Sequence, residues 1–176
     1  MEFCSLLNEL NIKYVVISGY VAILFGRSRA SEDIDIIAEK VSKETFRKLW
    51  ASAAEKFECI NTSVCEDAFS EYLEEGSAIR FSRKGQFIPN VEFKFQKNEV
   101  DRWSIANRIK VIVNESTLYI SSLELQISFK LYLGTEKDIE DAKHLYEVFK
   151  DKLNPALIAE FNRKFKVEDA FNRYLK

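Results

Sequence analysis

The sequence predicts an α+β fold: a mixed central sheet flanked by helices, with a C-terminal helical bundle. Three observations carry this prediction. A β-branched run at 13–18 and the segment DIDIIA at Asp33–Ala38 both read as strands. The stretch Val91-Glu92-Phe93-Lys94-Phe95 alternates apolar and charged residues with period two, as a half-buried strand does. From Ser121 onward the apolar spacing becomes helical and stays so. At 176 residues the chain fits one domain, or a core with an appendage. The expected division is a core at 1–120 and a helical subdomain at 121–176 packed on it.

The elements follow in order. Phe3, Leu6, Leu7 and Leu10 have helical spacing, and the first strand follows at 13–18. Residues 19–25 are too few and too apolar for a surface helix, so they should pack beneath the sheet. The second strand is Asp33–Ala38. Ser42 is a fitting N-cap for an amphipathic helix to about Lys56, with Phe46, Leu49, Trp50 and Ala53 inward. Thr45 stands where a capping box would carry Glu or Gln. A short strand is expected at 57–62, and a short acidic helix at 66–75 is stopped by Gly76. Strands at 78–82 and 87–95 flank a Lys84-Gly85 turn, with Pro89 interrupting or beginning the second. A further hairpin at 108–113 and 117–120 turns at Asn114-Glu115. Leu123, Ile127, Lys130 and Leu131 share nearby faces of a helix ended by Gly134. A helix at 136–153 follows, Pro155 marks a break, and two short helices finish the chain.

Composition narrows the function classes. An apolar fraction of 47% with 31% charged residues suits a globular protein with a real core. The net charge of −2 argues against a generally basic nucleic-acid coat but leaves room for local patches. Arg80, Arg83, Lys84, Lys94 and Lys97 form a modest basic track with no evident aromatic platform beside it. The apolar runs at Tyr14–Ile17 and 20–25 fall far short of a membrane span, and the N-terminus lacks the pattern of a secretory leader. Cys4, Cys59 and Cys65 lack CxxC spacing and His144 is the only histidine. A zinc site and a disulfide framework are therefore not expected, and a reducing cytoplasm is the expected compartment. Glu66 and Asp67 beside Cys65 disfavour a reactive thiolate there.

The chemistry concentrates between Val16 and Ala38. Strand residues two apart share a face, so Asp33 and Asp35 project together while Ile34 and Ile36 turn to the core. Like charges side by side repel unless water or a cation lies between them. Ser18-Gly19 forms a turn at a helix N-terminus close by. Free N–H groups there suit phosphate, and carboxylate oxygens suit Mg²⁺, the two needs of a metal-bound triphosphate. The bland alternative for the Asp pair is the wet face of a half-exposed strand.

The segment Ser18-Gly19-Tyr20-Val21-Ala22, then Gly26-Arg27-Ser28-Arg29-Ala30-Ser31-Glu32-Asp33-Ile34-Asp35, resembles the signature of the DNA polymerase β nucleotidyltransferase superfamily. Its flavour is nearest the minimal abortive-infection (AbiEii-like) nucleotidyltransferases. Ser18 replaces the first glycine of that pattern and Ser31 replaces its threonine. Leu123 to Lys130, followed by Lys137-Asp138 and Asp141, resembles the family's later helices. The resemblance implies a nucleotidyltransferase core in which Asp33, Asp35 and Glu92 hold Mg²⁺ and serve catalysis. Glu92 stands where an Asp is usual. It further implies that Ser18, Gly19, Arg29 and Lys130 bind the NTP.

The function so implied is transfer of a nucleoside monophosphate to an RNA, tRNA-like, or to a partner protein. A toxin–antitoxin setting with a cognate toxin or antitoxin goes with it. The alternative is a non-catalytic nucleotide-binding or interaction module of antitoxin type; nucleotidylation of a small molecule is a third reading. Rival readings of single residues stay open: Glu92 as half of a cross-strand salt pair with a lysine, Lys130 as a snorkelling stem, and Asp138 and Asp141 as helix-dipole partners.

Overall fold

The computed structural model describes residues 2–176. A seven-stranded mixed sheet runs through the molecule in the order β3-β4-β5-β2-β1-β7-β6. The strands are β1 (Tyr14–Ile17), β2 (Asp33–Ala38), β3 (Phe57–Cys59), β4 (Ile79–Arg83), β5 (Asn90–Phe95), β6 (Ile109–Val113) and β7 (Ser116–Ile120). β1 pairs antiparallel with β2 and parallel with β7, while β2 and β5 run parallel. β3-β4-β5 and β6-β7 are antiparallel ribbons at either side.

Side-chain alternation gives the sheet two different faces. One face carries Tyr14, Val16, Ile36, Phe81 and Phe93, all buried in the main core. Helices α1 (Glu2–Glu9) and α3 (Lys43–Ala53) bring Phe3, Leu7, Phe46 and Leu49 into that same core. Phe3 meets Phe93 and Phe81 at centroid distances of 6.0 and 5.0 Å. The opposite face holds Asp33, Asp35, Glu92 and Lys94 and a small apolar cluster of Val15, Ile37 and Ile105. The polar face of the central strands is therefore where chemistry can happen.

The short apolar helix after β1 is α2 (Gly19–Leu24). Ser42 caps α3 as expected, its hydroxyl accepting the Thr45 N–H at 3.2 Å. The acidic stretch after β3 is less regular than the sequence suggests: one turn, α4 (Cys65–Asp67), runs into a π-helical segment, Ala68–Leu73. β5 begins at Asn90, after Pro89, so Phe87 and Ile88 stand outside it and exposed. Helix α5 (Glu99–Ala106) has no counterpart among the sequence expectations. It starts with a capping box in which Asn98 and Asp101 each accept the other's backbone N–H. Its residue Ile105 covers part of the polar face.

The C-terminal part consists of α6 (Leu123–Leu133), α7 (Glu136–Phe149), α8 (Pro155–Phe165) and α9 (Glu168–Leu175). Gly134 ends α6 in the left-handed conformation, φ 69°. Leu123, Ile127, Ala142 and Leu145 join the same buried cluster as the strands, so apolar packing runs from sheet to helices without a break.

Polar fastening is concentrated on one carboxylate. Asp141 has no exposed surface, and burying a charge is costly unless it is paired. Arg29 grips it with both prongs, Nε at 3.0 Å and Nη2 at 2.8 Å, and Lys130 Nζ lies 2.8 Å away. Arg27 pairs with the adjacent Glu140. The loop before β2 is thereby tied to α6 and α7.

This predicts a contrast measurable by thermal melting. Asp141→Ala takes the carboxylate from half-buried Arg29 and leaves buried Lys130 only Asp138, and should cost about 3–5 kcal/mol, a Tm fall of roughly 6–20 °C. Arg47→Ala removes an exposed pair with Glu66 and should cost less than about 1 kcal/mol.

Candidate active site

The site grows from the register of three strands. β2 and β5 run parallel with Asp35 opposite Glu92 and Asp33 opposite Asn90. Opposed residues share a face, so Asp33, Asp35 and Glu92 converge on the polar side. Each offers a carboxylate oxygen, and these oxygens lie within 4.8 Å of one another. All three residues are half-buried, and the Glu92 side chain keeps 18% of its surface exposed, enough for an ion to reach it.

Crowding shows in the protonation of Asp35. Burial, with help from the charges of Asp33 and Glu92, pushes its carboxyl above the usual range. Lys94 and a hydrogen bond from the Ser18 hydroxyl pull the other way and do not prevail. Glu92 has found partial relief. Arg80, directly across on β4, lies 2.9 Å from Oε2, and Lys94, two residues along β5, lies 3.7 Å from Oε1. The salt-pair reading and the third-carboxylate placement therefore coexist at this residue. Its main cation is Arg80, with the lysine secondary.

The turn between β1 and α2 stands next to these carboxylates. Ser18 adopts φ 65° and ψ −142°, a conformation that L-residues rarely hold and glycine tolerates. Its N–H donates to Gln126 Oε1 at 3.2 Å, and Gln126 in turn donates to Ser121 Oγ at 2.6 Å, so α6 holds the turn in place. Gly19 is required for a reason that the sequence does not show. A Cβ there would sit 1.8 Å from Arg29 Nη2, so the guanidinium lies flat against the glycine.

Arg29 and Lys130 thus have structural partners in the absence of any ligand. Arg29 binds Asp141 and donates Nη1 to the Ala30 carbonyl at 3.0 Å. Lys130 is 1% exposed and reaches Asp138 and Asp141, each at 2.8 Å. For Asp138, burial opposes the charge, but the Lys130 ammonium and Thr135 hydroxyl outweigh it and lower the carboxyl pKa. Asp138 also receives the cap geometry at Thr135, so its place at the start of α7 is well satisfied.

A cleft of about 330 Å³ opens beside Asp35 and Ser18, floored by Ile17 and Ile37 of the sheet. Lys94 and Lys97 edge it, and α5 and α6 wall it with Ser104 and Gln126. The Ser104 hydroxyl is buried there without a hydrogen-bond partner. Of the basic track, Arg80, Lys94 and Lys97 lie near the site, whereas Arg83 turns away to pair with Glu2 at 2.7 Å. The residues missed by sequence reasoning come from α5, whose start was legible in Asn98-x-x-Asp101. His144 sits between elements, its Nε2 2.9 Å from the Phe25 carbonyl oxygen. The cysteines are free, and burial raises the Cys65 thiol pKa, with Glu66 adding to it.

Fold comparison gives the arrangement a class. The chain has the fold of nucleotidyltransferases, with the carboxylates on the polar face of its central strands. No protein-family model matches the sequence, and no curated protein matches it at a significant level. Solved structures do match. An antigenic nucleotidyltransferase-like protein from Paracoccidioides brasiliensis superposes with a TM-score of 0.60 at 18% identity, covering 99% of this chain and 88% of that one. The antibiotic-resistance factor ANT(2″)-Ia gives 0.58 at 12% identity over 98% and 94% of the two chains. A lincomycin-bound lincosamide antibiotic adenylyltransferase, LnuA, gives 0.53 at 15% identity over 82% and 92%. At these identities the likeness is one of fold. Among the described residues, no helix is long and apolar enough to cross a membrane.

The raised Asp35 carboxyl has a signed consequence. A carboxyl titrating higher in the folded than in the unfolded chain destabilises the fold once ionised. The penalty is absent below the ordinary Asp range and complete above the folded value. Asp35→Asn should therefore melt at a higher temperature than wild type at neutral pH without divalent cations. The gap should close as pH falls below 3.8, the ordinary Asp value. Melting curves across that range, with and without Mg²⁺, check it: Mg²⁺ should stabilise wild type and leave the variant unmoved.

Proposed function

We propose that the protein is a Mg²⁺-dependent nucleotidyltransferase, moving a nucleoside monophosphate from an NTP to a hydroxyl on RNA, tRNA-like, or on a partner protein. The observation that carries this reading is the convergence of Asp33, Asp35 and Glu92 beside the Ser18-Gly19 turn, within a fold shared with nucleotidyltransferases. The cluster fits the ion. Carboxylate oxygens are the hard donors that Mg²⁺ takes, and a cation would offset both the burial and the like charges that raise the Asp35 carboxyl. Asp33, Asp35 and Glu92 would hold Mg²⁺, which supplies charge neutralisation at the triphosphate and at the attacking oxygen.

The chain's own groups have separable tasks. The Ser18-Gly19 turn and its hydroxyl face the phosphates. Arg29, pressed on Gly19, adds positive potential beside them, and buried Lys130 adds to it from behind. In the transfer, the acceptor hydroxyl oxygen forms a bond to the α-phosphorus. The bond from that phosphorus to the oxygen bridging to the β-phosphate breaks, and pyrophosphate leaves with the electron pair. The hydroxyl proton passes to a carboxylate of the cluster, Glu92 being the most suitably placed beside β4. The resemblance of the sequence to AbiEii-like proteins supports, as part of this reading, a toxin–antitoxin setting in the cytoplasm with a cognate toxin or antitoxin as partner. The free thiols of Cys4, Cys59 and Cys65 suit a reducing compartment.

One observation favours a second reading. Arg80 and Lys94 already neutralise Glu92, so the pocket can serve as a nucleotide-binding module without turnover. The two readings part in one assay: the protein, Mg²⁺ and an NTP labelled on its α-phosphate, with total RNA or partner protein as acceptor. Label should pass to the acceptor, and Asp33→Ala/Asp35→Ala should reduce transfer by about 10²–10³-fold or more. Transfer that survives the double substitution places the chemistry elsewhere. Metal-dependent NTP binding with no transfer selects the binding module.

A further inference from the structure

The cleft beside the carboxylates continues past α5. Asn98, Val100, Asp101 and Phe129 line both it and a second, more open cleft of about 510 Å³. Tyr132, Lys164, Phe165 and Lys166 complete the second one. Phe129 and Tyr132 lie one turn apart on α6, and Phe165 ends α8 beside them. The three rings form a continuous patch, with centroids 5.9 Å apart for Phe129–Tyr132, 5.7 Å for Tyr132–Phe165 and 5.6 Å for Phe129–Phe165. Tyr132 leaves 58% of its surface to solvent, which is unusual for a large ring packed in an aromatic cluster.

The charge around the rings is one-sided in its availability. Lys97, Lys164 and Lys166 form no ion pair among the described residues. The acid in the cleft, Asp101, is held by the backbone N–H groups of Lys97 at 2.7 Å and Asn98 at 3.4 Å. The exposed Tyr132 ring, backed by the half-buried Phe129 and Phe165, offers stacking to any base, and lysines without an ion pair offer phosphate contacts. That combination is how single strands are held without sequence preference. Sequence alone hides it, since the rings come from two helices and the lysines from two distant segments.

We propose that this second cleft is a stacking subsite for single-stranded RNA, whose terminal hydroxyl reaches Asp35 past the shared lining residues Asn98 and Phe129. The proposal rests on the nucleotidyltransferase reading and names its acceptor. The first cleft, near the low end of the about 300–1,000 Å³ that holds one small ligand, suffices for the transferred nucleotide. The second lies further from the carboxylates, where only an acceptor chain has reason to run.

The test is fluorescence anisotropy with a labelled oligo(A) strand, its duplex of equal length, and, separately, Mn²⁺ with a labelled ATP. Wild type should bind the single strand more tightly than the duplex. Tyr132→Ala, which removes the exposed ring, should weaken single-strand binding about tenfold, with Mn²⁺–ATP binding and the melting temperature close to wild type. Lys164→Gln/Lys166→Gln, both on exposed positions, is the second variant. It should weaken binding and reduce the slope of log affinity against log salt by about 1–2. Single-strand affinity unchanged in both variants overturns the subsite, even with Mn²⁺–ATP binding intact. Loss of ATP binding together with RNA binding in a folded ring variant also overturns it, by assigning the rings to the nucleotide's own base. Failure of wild type to bind Mn²⁺–ATP at all overturns the underlying reading instead.

Discussion

The buried carboxylate of Asp141 is the constraint on which the site's geometry depends. A charge with no access to water must be met by cations of fixed position, and Arg29 and Lys130 meet it at 2.8 Å each. In reaching Asp141, Arg29 passes against Gly19, where a Cβ would lie 1.8 Å from its Nη2. The chain between α2 and β2 is therefore drawn onto α7, and the Ser18-Gly19 turn is held between Arg29 on one side and Gln126 on the other. A buried ion pair adds little net stability over well-packed apolar residues. Its contribution here is positional: it fixes where a turn, a loop and two helices meet.

The second group of charges obeys the opposite logic. Around Asp141, Arg27, Arg29 and Lys130 balance Asp138, Glu140 and Asp141, whereas Asp33, Asp35 and Glu92 crowd together with fewer cations. Of the three, only Glu92 forms an ion pair among the described residues, and the nearer partner, Arg80, has a largely exposed side chain. Burial, reinforced by the charges of Asp33 and Glu92, makes Asp35 hold its proton more tightly. The Ser18-Gly19 turn thus stands between a satisfied node that locks structure and a carboxylate cluster on the central strands that invites a cation. Ser18 links them, its backbone strained and its hydroxyl on Asp35. Strain of this kind costs on the order of 1–3 kcal/mol and persists where the surroundings over-determine it.

Much of this was legible in the sequence because it depends on short periods. Asp33 and Asp35 share a face because strands repeat every two residues, and Ile36 and Phe93 are buried for the same reason. Ser42, Gly134 and Pro155 mark helix ends through local chemistry alone. What escaped depends on distance along the chain. Arg29 and Asp141 are separated by 112 positions, so the true partner of the arginine is invisible to any local pattern. Glu92 meets Arg80 only through the β4-β5 register. Helix α5 escaped because its capping box uses Asn and Asp in place of the commoner Ser or Thr with Glu. The aromatic patch escaped because α6 and α8 each supply part of it. Resemblance supplied the site residues; folding supplies the reason they stand where they do.

The central claim is that Asp33, Asp35 and Glu92 form a divalent-metal site for a triphosphate. The most direct measurement is a crystal structure grown with Mn²⁺ and an NTP analogue that cannot be cleaved at the α–β bridge, read by anomalous scattering. The account predicts a Mn²⁺ peak bonded to oxygens of Asp33, Asp35 and Glu92, Arg80 drawn away from Glu92, and phosphates against Ser18 and Gly19. A triphosphate bound elsewhere, or carboxylates with no metal peak and Arg80 still on Glu92, would contradict it.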